Sequence, residues 1–256
     1  MSIEEICEKY DIRNYTINDD GSVDVYNEVY LVGNDLTKLP LKFGNVSGSF
    51  NCSNNELTTL EGSPKSVGGS FKCVNNKLTD LKGGPEKVDS YFDCERNLLT
   101  TLKDGPKLVG AYFCGFNNLT NLKGCPVEII GDFYCNSNLL TTLEDGPKSV
   151  SYFECSYNNL TNLKGCPKEI GGMFSIESSP LTDLVEVPEK MNKYLSCKNT
   201  PLGSIFHNAD LGFIKTFNTF KVIKDGVVNL KRLKYVMELF DKPIFLDDIK
   251  KHYKVK

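Results

Sequence analysis

Apolar positions recur along this chain at a spacing far longer than that of a helix face or a strand. The element Leu-Thr-x-Leu returns every 20 or 21 residues. Its first leucine is Leu36, Leu57, Leu78, Leu99, Leu119, Leu140, Leu160 and Leu181, with a degenerate start at Leu202. Self-similarity at such a period is typical of a solenoid, in which each unit buries its apolar face against its neighbours. The pattern therefore predicts one stacked repeat array.

A short alternating segment precedes this element in each unit. Phe71 and Cys73 alternate with Lys72 and Val74, so the first two are expected to point inward from a short strand. Strands of successive units are expected to stack in parallel, about 4.8 Å apart.

Asparagine and proline mark where each strand ends and where the chain returns. Asn76 follows the strand, and its amide is suited to satisfy backbone groups of the turn and of the next unit. The equivalent residues are Asn34, Asn55, Asn97, Asn117, Asn138 and Asn158, followed by Ser179 and Thr200. A proline at a fixed offset, such as Pro106 after Gly105, disfavours helix. The side opposite the strands is therefore predicted to be irregular, with little helix.

The two 20-residue units are shortened at one place. Four positions separate Val67 from Phe71, whereas three separate Val109 from Tyr112. The extra residue of the longer units is predicted to form a small bulge entering the strand.

The first 35 residues are predicted to cap the array. Ser2 and Glu5 form a capping box that starts a short helix. The segments on either side of Asp20 and Gly21 have the alternation of a hairpin. Residues 29–31 then resemble half a repeat leading into the eight-unit solenoid, which we place at residues 36–201.

Helical spacing replaces the repeat in residues 202–256, which are predicted to form a C-terminal helical cap. One helix is indicated by Leu211, Ile214 and Phe217, and a second by Leu230, Leu233, Met237 and Phe240 with Asn229 as its N-cap. A third is expected between Asp247 and Tyr253. This part carries 11 Lys and Arg against 6 Asp and Glu, giving +5, while residues 1–201 carry −8; together they give the net charge of −3. The excess of positive charge in residues 202–256 is explained by solvated lysines of a cap. The alternative is that this basic part forms a second contact surface.

Seven of the ten cysteines share one inward position of the repeat. They are Cys52, Cys73, Cys94, Cys114, Cys135, Cys155 and Cys197, and Leu31 and Ile176 stand at the same position in other units. Replacement by Leu and Ile indicates a small buried apolar side chain. Parallel rungs of a ladder hold neighbouring cysteines in a poor geometry for disulfides. The chain has two histidines and no Cys-x-x-Cys, so no metal ion or other cofactor is predicted.

The chain gives little support to catalytic or membrane functions. It contains no P-loop or Rossmann glycine pattern, and both histidines, His207 and His252, lie in the C-terminal part, away from any evident Ser or Cys nucleophile. No apolar run is long enough to span a membrane, and the N-terminus lacks the pattern of a signal peptide. We therefore expect a non-enzymatic cytoplasmic protein.

The side chains that point outward from the strands carry the strongest functional signal. Aromatic residues gather there from the third unit to the eighth, among acidic residues, while the first two units offer mainly Ser and Asn. Aromatic anchors with a charged rim are typical of a protein interface. Strand preference for Tyr and Phe is the competing explanation. A nucleic-acid platform would pair aromatics with Lys and Arg instead, so no nucleic-acid partner is expected. The predicted partner-binding residues are Tyr91, Asp93, Glu95, Arg96, Phe113, Phe116, Asp132, Tyr134, Tyr152, Glu154, Tyr157, Met173, Glu177 and Tyr194.

The repeats resemble the leucine-rich repeat superfamily over roughly residues 25–201. The segment from Phe71 to Leu81 fills the pattern L-x-L-x-x-N-x-L-x-x-L position by position. The segment Asn14–Val25, followed by units ending in Cys-x-x-Asn-x-Leu-Thr-x-Leu, is similar to leucine-rich repeat proteins of tailed bacteriophages. That resemblance implies expression in a bacterial host cytoplasm and a role in host interaction or counter-defence. Secreted effector ligases also have short repeats, but they need a catalytic cysteine in a large domain, and no Cys follows Cys197.

Together these observations predict an α/β solenoid, a leucine-rich repeat horseshoe with parallel strands on its concave face. The expected function is to bind, and to inhibit or redirect, a bacterial host or anti-phage defence protein with a basic, partly apolar surface. A scaffold or homo-oligomer that assembles through the C-terminal helices is the alternative of a different class. Capture of a small nucleotide signal on the aromatic cluster is a third.

Overall fold

The chain forms a solenoid of about eight turns, built on short parallel strands, in a computed structural model that describes residues 1–256. No helix lies between Lys9 and Leu202, which confirms the prediction of an irregular return path. Each turn contributes to two ladders of parallel strands, one carrying inward aromatic side chains and one carrying inward aliphatic side chains.

The aromatic ladder contains the segment of each unit that was predicted to be a strand. Phe50 pairs with Phe71, and Phe71 with Phe92, so residues at equivalent repeat positions lie side by side. In chain order its strands are β3 (Val29–Tyr30), β5 (Phe50–Asn51), β7 (Phe71–Lys72), β8 (Lys87–Asp93), β9 (Leu108–Phe113), β10 (Phe133–Tyr134), β12 (Phe153–Glu154), β14 (Phe174–Ser175) and β16 (Tyr194–Ser196).

The aliphatic ladder precedes the aromatic ladder in each turn. Its strands are β2 (Val23–Val25), β4 (Phe43–Val46), β6 (Ser66–Val67), the first halves of β8 and β9, and then β11 (Ser149–Val150), β13 (Glu169–Ile170) and β15 (Lys190–Met191). Strand β8 runs through both ladders, and its register against β9 shifts between Val88 and Tyr91. This shift confirms the predicted bulge at the step from a 21-residue to a 20-residue unit.

The interior of the turns is a set of stacked columns, each formed by equivalent residues of successive units. The inward rings from Phe50 to Phe174 follow one another with centroids 5.0–6.1 Å apart. The seven cysteines of the predicted inward column are fully buried, as expected, and all ten cysteines are free thiols. Burial raises the pKa of the Cys52 thiol to about 12.

A column of buried asparagines fastens each turn to the one before it. The Asn76 amide donates to the carbonyls of Cys52 and Cys73, each at 3.1 Å, and its Oδ1 accepts from the Leu57 N–H at 3.0 Å. The same pattern recurs through Asn158, which confirms the predicted role of these residues. Asn34 differs: it is exposed, and its amide reaches only the Val32 carbonyl, because no full turn precedes it.

The N-terminal elements agree with the sequence prediction. Helix α1 (Ile3–Lys9) begins with the reciprocal capping box of Ser2 and Glu5. Strand β1 (Tyr15–Ile17) pairs with β2 in an antiparallel hairpin. These elements and the C-terminal ones share one apolar core of 62 buried residues with the solenoid.

The C-terminal part continues from the last turn through a short 3₁₀ helix at Leu202–Ser204 and contains three α-helices. Its other elements are β17 (Asn208–Asp210), α2 (Leu211–Thr219), β18 (Ile223–Lys224), β19 (Val227–Val228), α3 (Leu230–Leu239), α4 (Leu246–Lys250) and β20 (Lys254–Val255). Asn229 caps α3 as predicted, by accepting from the Arg232 N–H at 3.0 Å. Helix α4 ends earlier than expected, and Tyr253 is instead buried beyond it, where its hydroxyl donates to the Thr182 carbonyl at 2.8 Å.

Candidate functional site

Four aromatic side chains form a continuous row across the outward face of the aromatic ladder. Tyr91 lies 5.5 Å from Phe113, Phe113 lies 5.1 Å from Tyr134, and Tyr134 lies 5.3 Å from Tyr152, between ring centroids. The four residues come from β8, β9, β10 and the residue that precedes β12. The row thus crosses four successive turns that the sequence separates by about 20 residues each. We call this set the aromatic row.

Two changes of column make the row continuous. Tyr91 and Tyr152 precede the inward aromatic residue of their strands, whereas Phe113 and Tyr134 follow it. Beside Tyr91 the register places Ala111, whose methyl group is too small to continue the row. The next ring is therefore supplied by Phe113, two residues further along the same strand.

The row is extended by register at its C-terminal end. The backbone N–H of Phe153 bonds the Met173 carbonyl at 3.1 Å, and Phe174 pairs with Leu195, so Tyr152, Met173 and Tyr194 occupy successive rungs. Met173 is half-buried and Tyr194 is exposed. No ring stacking links Tyr194 to the aromatic row, so these two residues extend the apolar strip without joining the ring contacts.

A second column brings Arg96, Phe116 and Tyr157 to the edge of this face. All three have the left-handed backbone conformation, with φ of 55°, 55° and 57°. Other turns fill this column with glycine or with small polar residues, namely Gly33, Asn54, Asn75, Ser137, Ser178 and Asn199. The left-handed region costs residues with a Cβ atom roughly 1–2 kcal/mol each, and Gly and Asn tolerate it best. Yet Phe116 and Tyr157 expose 42% and 62% of their surface, and Arg96 lies 4.3 Å above the Phe116 ring.

Five carboxylates surround the aromatic row, and none of them forms an ion pair. They are Asp93, Glu95, Asp132, Glu154 and Glu177, all half-buried. The eight salt bridges of the molecule all join other residues. Burial raises the pKa of Asp93, and burial together with the neighbouring Asp93 charge raises the pKa of Glu95. The nearby charges of Lys72 and Arg96 offset part of these shifts, so the face is a partly desolvated acidic surface that is only partly compensated within the chain.

Short-range hydrogen bonds orient several of these groups. The Tyr152 hydroxyl donates to Glu154 at 3.1 Å, and burial and that carboxylate together raise the pKa of the phenol. Burial, followed by the nearby Asp132 and Glu154 charges, also raises the pKa of Tyr134. Glu177 accepts from the Ser196 hydroxyl on the next turn. Contacts within the chain consequently fix the positions of Tyr152, Glu154 and Glu177.

Some contributors were not predicted from the sequence. Lys72 lies 5.1 Å from the Tyr91 ring centroid and begins the row at its N-terminal end. Tyr30, on β3, is exposed further toward the N-terminal end of the same ladder face, separated from the row by the turns that carry Asn51 and Lys72. Tyr30 could have been found by continuing the outward column one unit toward the N-terminus, and Lys72 stands in that column but was not singled out.

The structure brings both histidines to one cavity, which Ser204 also lines. His207 and His252 line a C-terminal cavity together with Ser204 and Asp248. The Ser204 hydroxyl donates to the Pro201 carbonyl at 2.7 Å, and no hydrogen bond joins it to either imidazole. The arrangement lacks the nucleophile–base contact of a catalytic triad.

No group of three or more His, Cys, Asp or Glu side chains is arranged to hold a metal ion. None of the helices combines the length and the hydrophobicity that a membrane span requires.

Comparison of the chain with protein-family models, with curated proteins and with solved structures gave no match. The resemblance to leucine-rich repeat proteins therefore rests on the residue pattern of the repeats.

Proposed function

We propose that this protein is a non-enzymatic binding solenoid of the leucine-rich repeat type, whose aromatic ladder forms the concave face of a horseshoe. The partner is a protein with a basic, partly apolar surface. The observation that carries the proposal is the aromatic row flanked by five carboxylates without ion pairs. Folding alone needs neither feature at these outward positions, since the first turns form the same ladder with Ser and Asn.

The chemistry of the face selects the partner. Adjacent rings and the thioether of Met173 offer flat apolar contact, which supplies affinity at interfaces. The unpaired carboxylates favour Lys or Arg on the partner, because a cation there would offset their mutual repulsion. Arg and Lys can also lie over the exposed rings, as Lys72 and Arg96 already do within the chain. Nucleic acid would be repelled by the same carboxylates.

The residue pattern that resembles bacteriophage proteins suggests where that partner is found. We propose a bacterial host or anti-phage defence protein, bound in the bacterial cytoplasm, which this chain sequesters or whose active site it covers. The rigid backbone ladder suits this role, because a preorganised surface loses little entropy on binding.

Affinity capture with matched variants tests the proposal. The tagged protein and the variants Phe113→Ala and Tyr134→Ala are used to capture proteins from bacterial lysate, with Tyr30→Ala as the control. Tyr30 is an exposed aromatic on the same ladder face, outside the aromatic row. We expect a captured protein that is retained by Tyr30→Ala and lost from both row variants.

Calorimetry with that purified protein then gives the affinities. Each row variant should weaken binding by roughly 30-fold or more, the effect of losing about 2 kcal/mol at an interface hot spot. Equal binding by the row variants and the wild type would show that this face is not the binding surface. None of the variants is expected to change the self-association of the purified chain. If the captured partner proves to be a second copy of this chain, the result would favour the scaffold function.

A further inference from the structure

A second candidate binding site lies where the last solenoid turn meets the C-terminal helices. A cavity of about 610 Å³ opens there between the 3₁₀ helix, β17, the end of α3 and α4. Ligand sites are often found at such junctions, and this volume lies in the usual range for small-molecule pockets. The cavity is separate from the aromatic row, none of whose residues lines it.

The cavity collects positive charge and N–H donors. Lys242, Lys251, His207 and His252 line it, and Asp248 is its only carboxylate. With both imidazoles neutral, two lysines against one aspartate leave one surplus positive charge. Both histidines of the chain thus occupy a single site, although 45 residues separate them in the sequence.

Several of these donors are exposed to solvent at the cavity mouth. The imidazoles of His207 and His252 and the side-chain amides of Asn199 and Asn208 are exposed and make no intramolecular hydrogen bond, so a ligand can reach them. Lys242 is held in place, since its Nζ donates to the Asn208 carbonyl at 3.3 Å and lies 5.2 Å from the Phe213 ring centroid. Lys251 pairs with Asp248 at 2.6 Å, and both residues line the cavity. The cavity therefore presents free donors of a kind suited to an oxyanion.

Apolar side chains line the same cavity. Phe245 lines the cavity and exposes 60% of its surface, and Met237 and Ile205 lie on the same lining. Aromatic side chains of this kind stack on planar bases. Inorganic phosphate alone is far too small to fill a cavity of about 610 Å³. A ligand that fills it would therefore carry a flat ring against the apolar residues in addition to its anionic group.

We propose that this cavity binds a nucleotide, with its phosphate among His207, His252 and Lys251 and its base against Phe245. This site is independent of the proposed protein-binding face. It is also a different place from the aromatic cluster, on which nucleotide capture was the third alternative drawn from the sequence.

Calorimetry and thermal unfolding of the full chain with AMP, adenosine and inorganic phosphate test the proposal. We expect AMP to bind with one-to-one stoichiometry and to raise the melting temperature. Adenosine and phosphate should each bind at least tenfold more weakly, because each satisfies half of the site. The variant Phe113→Ala should bind AMP as the wild type does, so this result is separable from the protein-binding proposal.

Substitutions on α4 and its C-terminal end locate the site. His252→Gln and Lys251→Gln should each weaken AMP binding by about tenfold, whereas Lys250→Gln should leave it unchanged, because Lys250 is exposed and does not line the cavity. Absence of AMP binding at millimolar concentration would overturn the proposal. So would equal effects of His252→Gln and Lys250→Gln, or tighter binding of a phosphotyrosine peptide than of AMP.

Discussion

The guanidinium of Arg96 lies 4.3 Å from the centre of the Phe116 ring, and both residues have φ of 55°. They occupy equivalent positions of successive turns, in a column that elsewhere holds Gly, Asn or Ser. The left-handed backbone conformation of these two residues is thus energetically unfavourable, and it places a stacked cation and ring at the exposed edge of this face. Such a conformational outlier, occupied by large side chains in some turns only, points to a role in recognition.

The substitution Phe116→Asn should stabilise the protein and weaken partner binding together. Asn tolerates the left-handed conformation better than Phe, so we expect a gain of about 1 kcal/mol in the free energy of unfolding, reduced by the loss of the Arg96 stack. Urea unfolding measures this change. The reciprocal control Asn54→Phe, in the same column near the start of the solenoid, should destabilise by a similar amount. A lower stability for Phe116→Asn would show that the aromatic ring is there for folding.

Loss of a buried asparagine should be among the most damaging single changes. Asn97 donates to the carbonyls of Cys73 and Cys94 at 2.9 and 3.1 Å and accepts from the Leu78 N–H at 3.1 Å. Asn97→Ala leaves these backbone groups buried without partners, and we expect a loss of roughly 2–4 kcal/mol in the free energy of unfolding. Denaturant titration measures it. Asn118→Ala, at an exposed position of the next turn, is the control and should change stability by less than about 0.5 kcal/mol.

The substitution Tyr112→Phe should increase stability. Tyr112 is the one tyrosine in the inward column of phenylalanines, and its buried hydroxyl has no hydrogen-bond partner. Removal of that hydroxyl restores the residue of the neighbouring turns and is expected to add about 1 kcal/mol. Thermal and urea unfolding both report the change. A clear loss of stability would mean that the hydroxyl has a bonding role in solution.

Stability should fall steeply at alkaline pH because of the cysteine column. Burial raises the pKa of each column thiol, to about 12 for Cys52 and Cys197, above the usual value near 8.5. Between about pH 9 and 12 the unfolded chain loses thiol protons that the folded chain keeps. Each column cysteine then lowers the free energy of unfolding by up to about 1.4 kcal/mol per pH unit, while below about pH 8 this effect is absent.

Urea unfolding under reducing conditions between pH 7 and 11 measures this slope. Cys155→Ile, which copies Ile176 of the next turn, removes one titrating thiol and should make the slope shallower by up to about 1.4 kcal/mol per pH unit. A slope that is unchanged by this substitution would assign the alkaline loss of stability to other groups.

Local rules explain why much of this fold could be predicted from the sequence. Ser2, Asn229 and the proline positions act through short-range geometry, and the buried Asn and Cys columns repeat often enough for their inward direction to be inferred. The end of α4 could not be predicted, because Tyr253 is placed by a bond to the distant Thr182 carbonyl.

The outward face, too, could be predicted from the sequence only in part. Its residues were identifiable because the repeat fixes which positions point outward. The step of the aromatic row from Tyr91 to Phe113 depends on the bulge in β8 and on the small Ala111, and the repeat pattern alone does not reveal which rings touch. The convergence of His207 and His252 depends on how the C-terminal helices pack against the last turn, which no periodic signal encodes.

The asparagine column has a consequence for how the number of units in such a protein can evolve. Each Asn bonds only to its own turn and the adjacent one, so one whole unit can be duplicated or deleted while every remaining bond is reproduced. Point substitutions alter the outward side chains, but gain or loss of a unit moves Tyr194 relative to Tyr91 in steps of about one strand spacing, roughly 4.8 Å. The length of the outward surface can thereby change by whole units while the buried columns keep the same contacts.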